Sequence, residues 1–299
     1  MVSASERILE LKRKKNAVIL AHNYTSPEVQ DAADYVGDSL GLSMAASKTD
    51  ADIIVFCGVS FMGETAKILC PDKTVLMPEP DAHCAMAAMC TGKELREFRE
   101  AHPDYAIVGY VNSTAESKME MDICCTSSNA IKVLRSLEGR RVLFVPDMNL
   151  GAYAASNTGM DIKLWRGFCS IHHFMTATRV KEFKDRYPEA LVMAHPECRK
   201  EVLDLADHIG STESMIAAAR SSDRKEFIVL TEIGMKHRLE KENPDKIFHF
   251  MEHAVCTTMK MITLDSILDS LTNGTGEIIL PDSVIAGAKG PVKRMIDLA

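Results

Sequence analysis

Three of the nine cysteines stand at nearly equal spacing: Cys84, Cys169 and Cys256 are 85 and 87 residues apart. Thiols so far apart are neither the CxxC pairs of a zinc ribbon nor the tight run of a ferredoxin. If folding brings them to one point, two groups suit three thiolates. One is zinc with an open fourth position. The other is a four-iron cluster in which one iron lacks a protein ligand. An open iron would be a Lewis acid for a hydroxyl or carbonyl oxygen. Cys57, Cys70, Cys90, Cys124, Cys125 and Cys198 lack a counterpart at that spacing and read as bystanders. The odd total also leaves no complete disulfide set.

Acid–base and hydrogen-bonding residues repeat with the cysteines. Offsets of 88 and then 85 lay His22 on Tyr110 and His195, and Tyr24 on Asn112 and Glu197. The same register lays Asp34 on Asp122 and Asp207, and Ser39 on Ser127 and Thr212. Asp147 and Glu232 share another column, where capping and salt-bridge roles are equally open. A lone histidine after a strand reads as a hydrogen-bonded core group. Two at equivalent strand ends, with Tyr24 and Glu197 beside them, read as a polar site. A single hydroxyl at a helix start reads as an N-cap. Three in register, with Ser211 beside Thr212, read as helix starts facing a small anion such as a carboxylate or phosphate.

The elements that must position these groups follow from the apolar runs. AVILAH, AIVGY and LVMAH begin three copies, and IIVFC, VLFVP and FIVLT continue them. Continuous Val/Ile-rich runs separated by helical stretches predict parallel sheets covered on both faces. Each copy reads β-α-β-α-β-α-β. In the first, strands are expected over 17–21, near 35–36, over 53–57 and over 74–77. A helix opens at Ser26-Pro27, where Ser caps and Pro takes the first turn. The fold class is therefore α/β: three similar Rossmann-like three-layer α/β/α units with parallel sheets, whose equivalent residues would converge on one central site if the units pack around a pseudo-threefold axis. Their expected bounds are 1–84 with C-terminal helices 260–299, then 85–169, then 170–259. In such sheets ligands sit beyond the carboxyl ends of the strands, where the polar columns lie. Ser3 and Glu6 predict a capping box on an N-terminal helix with Ile8, Leu9 and Leu11 on one face.

The 299 residues exceed what one core usually serves, which agrees with several units. Hydrophobic residues at 46% and charged residues at 26% exclude disorder, collagen and coiled coil. A net charge of −7 argues against a nucleic-acid surface. No apolar run approaches the ~20 residues of a membrane helix. The expectation is a cytoplasmic protein with reduced thiols, no membrane and no nucleic-acid partner. H-E-x-x-H and P-loop patterns are lacking, which sets a metallohydrolase or nucleotide hydrolase aside.

The motifs AHNY (21–24), GDS (37–39), GVSFMGE (58–64), YVNST (110–114), TSSNA (126–130), PDMNLGAY (146–153), HPEC (195–198), GST (210–212) and TEIGM (231–235) resemble the quinolinate synthases, over essentially the whole chain. The resemblance implies a [4Fe–4S] cluster on Cys84, Cys169 and Cys256. It implies condensation of iminoaspartate with dihydroxyacetone phosphate, releasing phosphate and two waters to give quinolinate, and a functional link to an iminoaspartate-producing enzyme. By the same resemblance His22, Ser39, Tyr110, Asn112, Ser127, His195, Glu197, Ser211 and Thr212 line the active site. Tyr24 and Glu197 would assist proton transfers, and Met62 would close over the ligand. Two positions depart from that pattern. Phe168 stands where the second cysteine loop commonly has histidine, though His172 is kept. Glu213 follows Thr212 where glycine is usual, and a carboxylate beside an anion site is expected to turn away. The alternative from another class is a non-catalytic iron–sulfur or zinc sensor on the same fold. It would need an output surface such as a basic helix or an added domain, and this acidic chain shows neither.

Overall fold

A computed structural model describes residues 3–299. It contains three four-stranded sheets, all parallel. The first is built from β1 (Ala17–His22), β2 (Tyr35–Gly37), β3 (Ile53–Cys57) and β4 (Thr74–Leu76). The second uses β5 (Tyr105–Tyr110), β6 (Ile123–Cys125), β7 (Arg141–Val145) and β8 (Lys163–Leu164). The third uses β9 (Leu191–Ala194), β10 (His208–Ile209), β11 (Glu226–Leu230) and β12 (Ile247–Phe250). In each, the second strand lies outside the first, and the third and fourth follow on the other side: β2-β1-β3-β4, β6-β5-β7-β8 and β10-β9-β11-β12. The pairings repeat as well. Val18 opposes Ile54, Ala106 opposes Val142 and Leu191 opposes Phe227, the three pairs that the sequence offsets superpose.

The aspartate column explains part of that repetition. Asp34, Asp122 and Asp207 each precede the short outer strand. Each accepts from a main-chain N–H of the neighbouring strand, from Ile19 at 2.8 Å, Ile107 at 2.7 Å and Val192 at 2.8 Å. Each also donates its own N–H to the carbonyl of that same residue, at 2.9 Å. The carboxylate thus satisfies a donor that the short strand leaves unpaired. This column is structural.

Side chains alternate across a strand, and the third sheet shows the result. Val192, Ala194, Ile228 and Leu230 face one apolar core, while Met193, Phe227 and Val229 face another. The first two sheets share one continuous core with the C-terminal helices. Those helices do more than pack on the first unit. Leu264–Asn273 lies against the N-terminal helix Ala4–Lys14, and Asp282–Asp297 lies against both Ser60–Leu69 and Ala115–Met119. Between them the chain runs beside β4. Met77 donates to the Gly276 carbonyl and Ile278 to that of Val75, both at 2.8 Å. Gly276 has φ +78°, and a Cβ there would come within 1.9 Å of the Met77 oxygen, so only glycine fits.

The N-terminal capping box is present, with Ile8 buried, but Leu9 is exposed and faces away from the core. Ser26 precedes the helix Pro27–Ala32 as expected, yet its hydroxyl caps nothing. The proline, not the serine, sets that helix start. Among the described residues no helix is long and apolar enough to cross a membrane.

Candidate active site

The carboxyl ends of the sheets open onto one shared cavity. His22, Tyr24, Ser39, Met62, Tyr110, Asn112, Ser127, His195, Glu197 and Thr212 all line it, as do Cys84, Cys169 and Cys256. Ser211 does not. Its hydroxyl accepts the Ser214 N–H and caps the helix Thr212–Ser221. That capping duty frees its neighbour. Asp38 likewise caps the helix Ser39–Lys48, so Ser39 is the first helical residue and not the cap. In the second copy Asn129 precedes the helix Ala130–Arg135, and its carbonyl oxygen takes the Thr126 N–H. Ser39, Ser127 and Thr212 are thus all relieved of capping and turned to the cavity.

The hydroxyl turns are tied into a ring. Ser128 donates to Asp38 at 2.8 Å, joining the second copy to the first. Ser127 and His195 Nε2 lie 3.2 Å apart, joining the second to the third. Asn23 donates to Thr212 at 2.8 Å, joining the first to the third.

A chain of hydrogen bonds runs from one phenol toward the carboxylate. The Tyr24 hydroxyl is 2.7 Å from Thr231 Oγ1, which is 2.9 Å from His172 Nε2. The Nδ1 of His172 is 2.6 Å from Glu197 Oε2. His195 stacks on His172 with ring centroids 4.5 Å apart. Thr231 is not among the residues expected from sequence, and His172 is noted there only as retained. The TEIGM motif contained the first of them, but a threonine at a strand end carries no distinguishing pattern.

Burial decides the charges. It pushes His22 and His195 down to about 3, so both rings are neutral near pH 7. It pushes the Tyr24 and Tyr110 phenols well up, with the Glu197 charge adding to it, so both keep their protons. Burial alone would raise Glu197 too. The imidazoles of His195 and His172, with hydrogen bonds from His172 and Tyr110, outweigh it and hold the carboxylate low. Among the buried oxygens without a protein partner, Glu197 Oε1 and Asn112 Oδ1 belong to residues that line the cavity. Unpaired buried oxygens are costly, so a site that keeps two is built for a ligand that donates to them or bridges them.

All nine cysteines are free thiols. Burial lifts Cys84 to about 12 and Cys169 well above the usual thiol range, so both are protonated thiols that would ionise only against a cationic group between them. Two of the three cysteine loops are pinned by the carboxylate column. Asp147 accepts the Cys169 N–H at 3.1 Å, and Glu232 accepts the Cys256 N–H at 2.9 Å. Among the described residues the one trio of ligand atoms all within 4.8 Å of one another is Cys169, His172 and Glu197.

Both departures from the family pattern are explained. Phe168 leaves the cavity, stacks on His173 at 4.3 Å and meets Phe174 edge-on. His172 alone serves the site, 3.3 Å from the Cys169 sulfur. Glu213 turns away from the cavity to bond Arg238. Gly37-Asp38-Ser39-Leu40-Gly41 spells G-x-S-x-G at a strand-to-helix turn. A hydrolase nucleophile would bond a histidine, and the Ser39 hydroxyl bonds none among the described residues.

Fold and site together define an α/β protein of three repeated sheets around one buried site of cysteines, neutral imidazoles and hydroxyls. The family described as Quinolinate synthetase A protein (NadA) matches residues 6–297. A quinolinate synthase of Methanosarcina barkeri is 53% identical over 292 residues, covering 97% of this chain and 96% of that protein. One of Dehalococcoides mccartyi strain CBDB1 is 53% identical over 293 residues, covering 98% and 97%. One of Aquifex aeolicus is 47% identical over 301 residues, covering 98% and 94%. The chain belongs to the quinolinate synthase family.

Proposed function

We propose that the chain condenses iminoaspartate with dihydroxyacetone phosphate to give quinolinate, phosphate and two waters. The observation that carries this reading is the convergence of Cys84, Cys169 and Cys256 with Glu197, two phenols and two neutral imidazoles on one buried cavity. A [4Fe–4S] cluster held by the three cysteines would supply an open iron as Lewis acid for a substrate hydroxyl or carbonyl oxygen.

The chain's own groups divide the remaining work. Ser39, Ser127 and Thr212 present hydroxyls at one end of the cavity and suit the phosphate or carboxylates of the substrates. Tyr110 ends β5 and Asn112 follows in the turn after it; both line the cavity, where they can orient a substrate carboxylate or imine. His22 and His195, neutral, can hydrogen-bond the substrates. Tyr24 and Tyr110, protonated, are able to donate protons to a departing hydroxyl. The Tyr24–Thr231–His172–Glu197 chain fixes the orientation of the phenol at the cavity. Met62 is buried at the cavity wall, where a Cβ on Gly58 would come within 2.7 Å of its sulfur, so the glycine makes room for it to cover the ligand.

The test is anaerobic reconstitution with iron and sulfide, followed by iron analysis and a quinolinate assay on the two substrates. A chain that binds iron and forms quinolinate supports the reading. Bound iron without turnover would make it an iron–sulfur sensor, and zinc in the anaerobically purified protein would sink the cluster assignment.

A further inference from the structure

Glu213, the departure beside the anion corner, belongs to a cluster that the reaction above does not use. Arg238 donates through Nη1 and Nη2 to the two Glu213 oxygens, at 2.5 and 3.1 Å. Its Nε donates to Glu242 at 2.7 Å. Nη1 also reaches Asn23 Oδ1 at 3.0 Å. The other end of that carboxamide, Nδ2, lies 2.8 Å from Thr212 Oγ1 and 3.2 Å from Glu213 Oε1. Asn23 and Thr212 are buried, and Thr212 lines the cavity while Arg238, Glu213 and Asn23 do not.

Donor and acceptor chemistry fixes every member of this cluster. Arginine has only donors, so the carboxamide must show it the oxygen. A carboxylate has only acceptors, so the carboxamide must show Glu213 the nitrogen. Reversing the amide would set N–H against N–H and oxygen against oxygen. Asn23 therefore donates to Thr212, whose hydroxyl oxygen is an acceptor in that bond. Its single proton makes no other side-chain bond and is left for the cavity. At the opening residue of the helix Thr212–Ser221, that proton lies beside unpaired main-chain donors.

We infer that Arg238, acting through Asn23, is a positioning residue that turns the proton of the Thr212 hydroxyl toward the cavity. The corner then favours a group rich in acceptors, an ionised phosphate. Glu213 neutralises the guanidinium and keeps it out of the cavity. The inference rests on the reading that this corner takes the phosphate of dihydroxyacetone phosphate.

The experiment is a double-mutant cycle on the reconstituted holoenzyme, reading calorimetric affinity for dihydroxyacetone phosphate. Thr212→Val and Arg238→Met should each weaken binding about tenfold, the loss of one hydrogen bond to a charged group. The double variant should bind no more weakly than Thr212→Val alone, because Arg238 acts only through that hydroxyl. In turnover, Arg238→Met should raise KM for the phosphate substrate more than it lowers kcat. Losses that multiply, or wild-type affinity in Arg238→Met, overturn the inference. Should that variant fold poorly, Asn23→Leu keeps the Arg238–Glu213 and Arg238–Glu242 pairs, and additivity there overturns it equally. Unchanged affinity in Thr212→Val would overturn the phosphate placement itself. Coupled losses in a chain that forms no quinolinate would support the inference while sinking the proposed reaction.

Discussion

The three sheets agree at one set of positions and differ at another. At the start of each outer strand the same aspartate makes the same pair of main-chain bonds, within 0.1 Å in each case. At the carboxyl ends, facing the cavity, equivalent positions have diverged. His22, Tyr110 and His195 share one column, as do Tyr24, Asn112 and Glu197. Val59, Asp147 and Glu232 share another, so only two of the three cysteine loops are anchored by a carboxylate. The loop of Cys84 is tied instead by main chain, with Ser60 donating to the Ala82 carbonyl at 2.8 Å. Positions that only hold a sheet together face the same physical demand three times and kept one answer. Positions around a single asymmetric ligand face three different demands.

The sharpest way to break this contrast is at the cysteines, where three unlike loops should still act as one ligand set. Cys84→Ser should lose bound iron and lower quinolinate formation at least about a thousandfold, and Cys169→Ser and Cys256→Ser should do the same. Iron analysis and turnover check it. A full cluster in any one variant would remove that cysteine from the set.

The anchors come next. Asp147→Asn and Glu232→Gln keep an acceptor but remove the charge that holds the cysteine N–H. Each should speed loss of the metal to a chelator about ten- to a hundredfold, the usual effect of disturbing a ligand's support. Glu232→Gln should be the worse, because Lys260 lies 3.0 Å from that buried carboxylate and would lose its partner. Val59→Ala should not change chelator release, since the first loop has no such anchor. An equal effect at Val59 would erase the distinction between the loops.

How much of this was legible in the sequence divides along the same line. Repetition was visible: offsets of 88 and 85 superpose β1 on β5, and β3 on both β7 and β11. The columns also led to the cavity, because equivalent strand ends in parallel sheets must face one side. What the columns do not carry is duty. Ser211 and Thr212 are adjacent hydroxyls, yet one caps a helix and the other faces the cavity. Thr231 and Arg238 act through partners more than 50 residues away in sequence, Thr231 through His172 and Arg238 through Asn23. No local pattern marks such pairs.

A gentler test concerns the histidine column. Burial takes His195 from 6.5 to about 3, so between those values the unfolded chain binds a proton that the folded chain does not. Folded stability therefore falls as pH drops from 6.5 toward 3, by up to about 1.4 kcal/mol per pH unit for one such ring. Asp38, Asp147 and Glu232, raised by burial, act in the opposite sense as pH rises. The difference between wild type and His195→Asn isolates the ring. Urea midpoints should converge as pH is lowered from 7 to 4, and parallel curves would show that the ring titrates alike in the folded and unfolded chain.

The smallest effect probes the region where the sheets agree. Asp34 also pairs with Lys12 at 2.6 Å and Asp122 with Arg99 at 3.1 Å, whereas Asp207 has no ion pair among the described residues. Asp207→Ala therefore reports the carboxylate–main-chain bond alone and should cost about 1 kcal/mol. Asp34→Ala and Asp122→Ala should cost that plus at most a few tenths more, since partly exposed ion pairs contribute little. Turnover should be untouched in all three, because none of these side chains reaches the cavity. Urea denaturation orders the three. A cost at Asp207 well below the other two would mean that the ion pairs, not the shared main-chain bond, hold the outer strands.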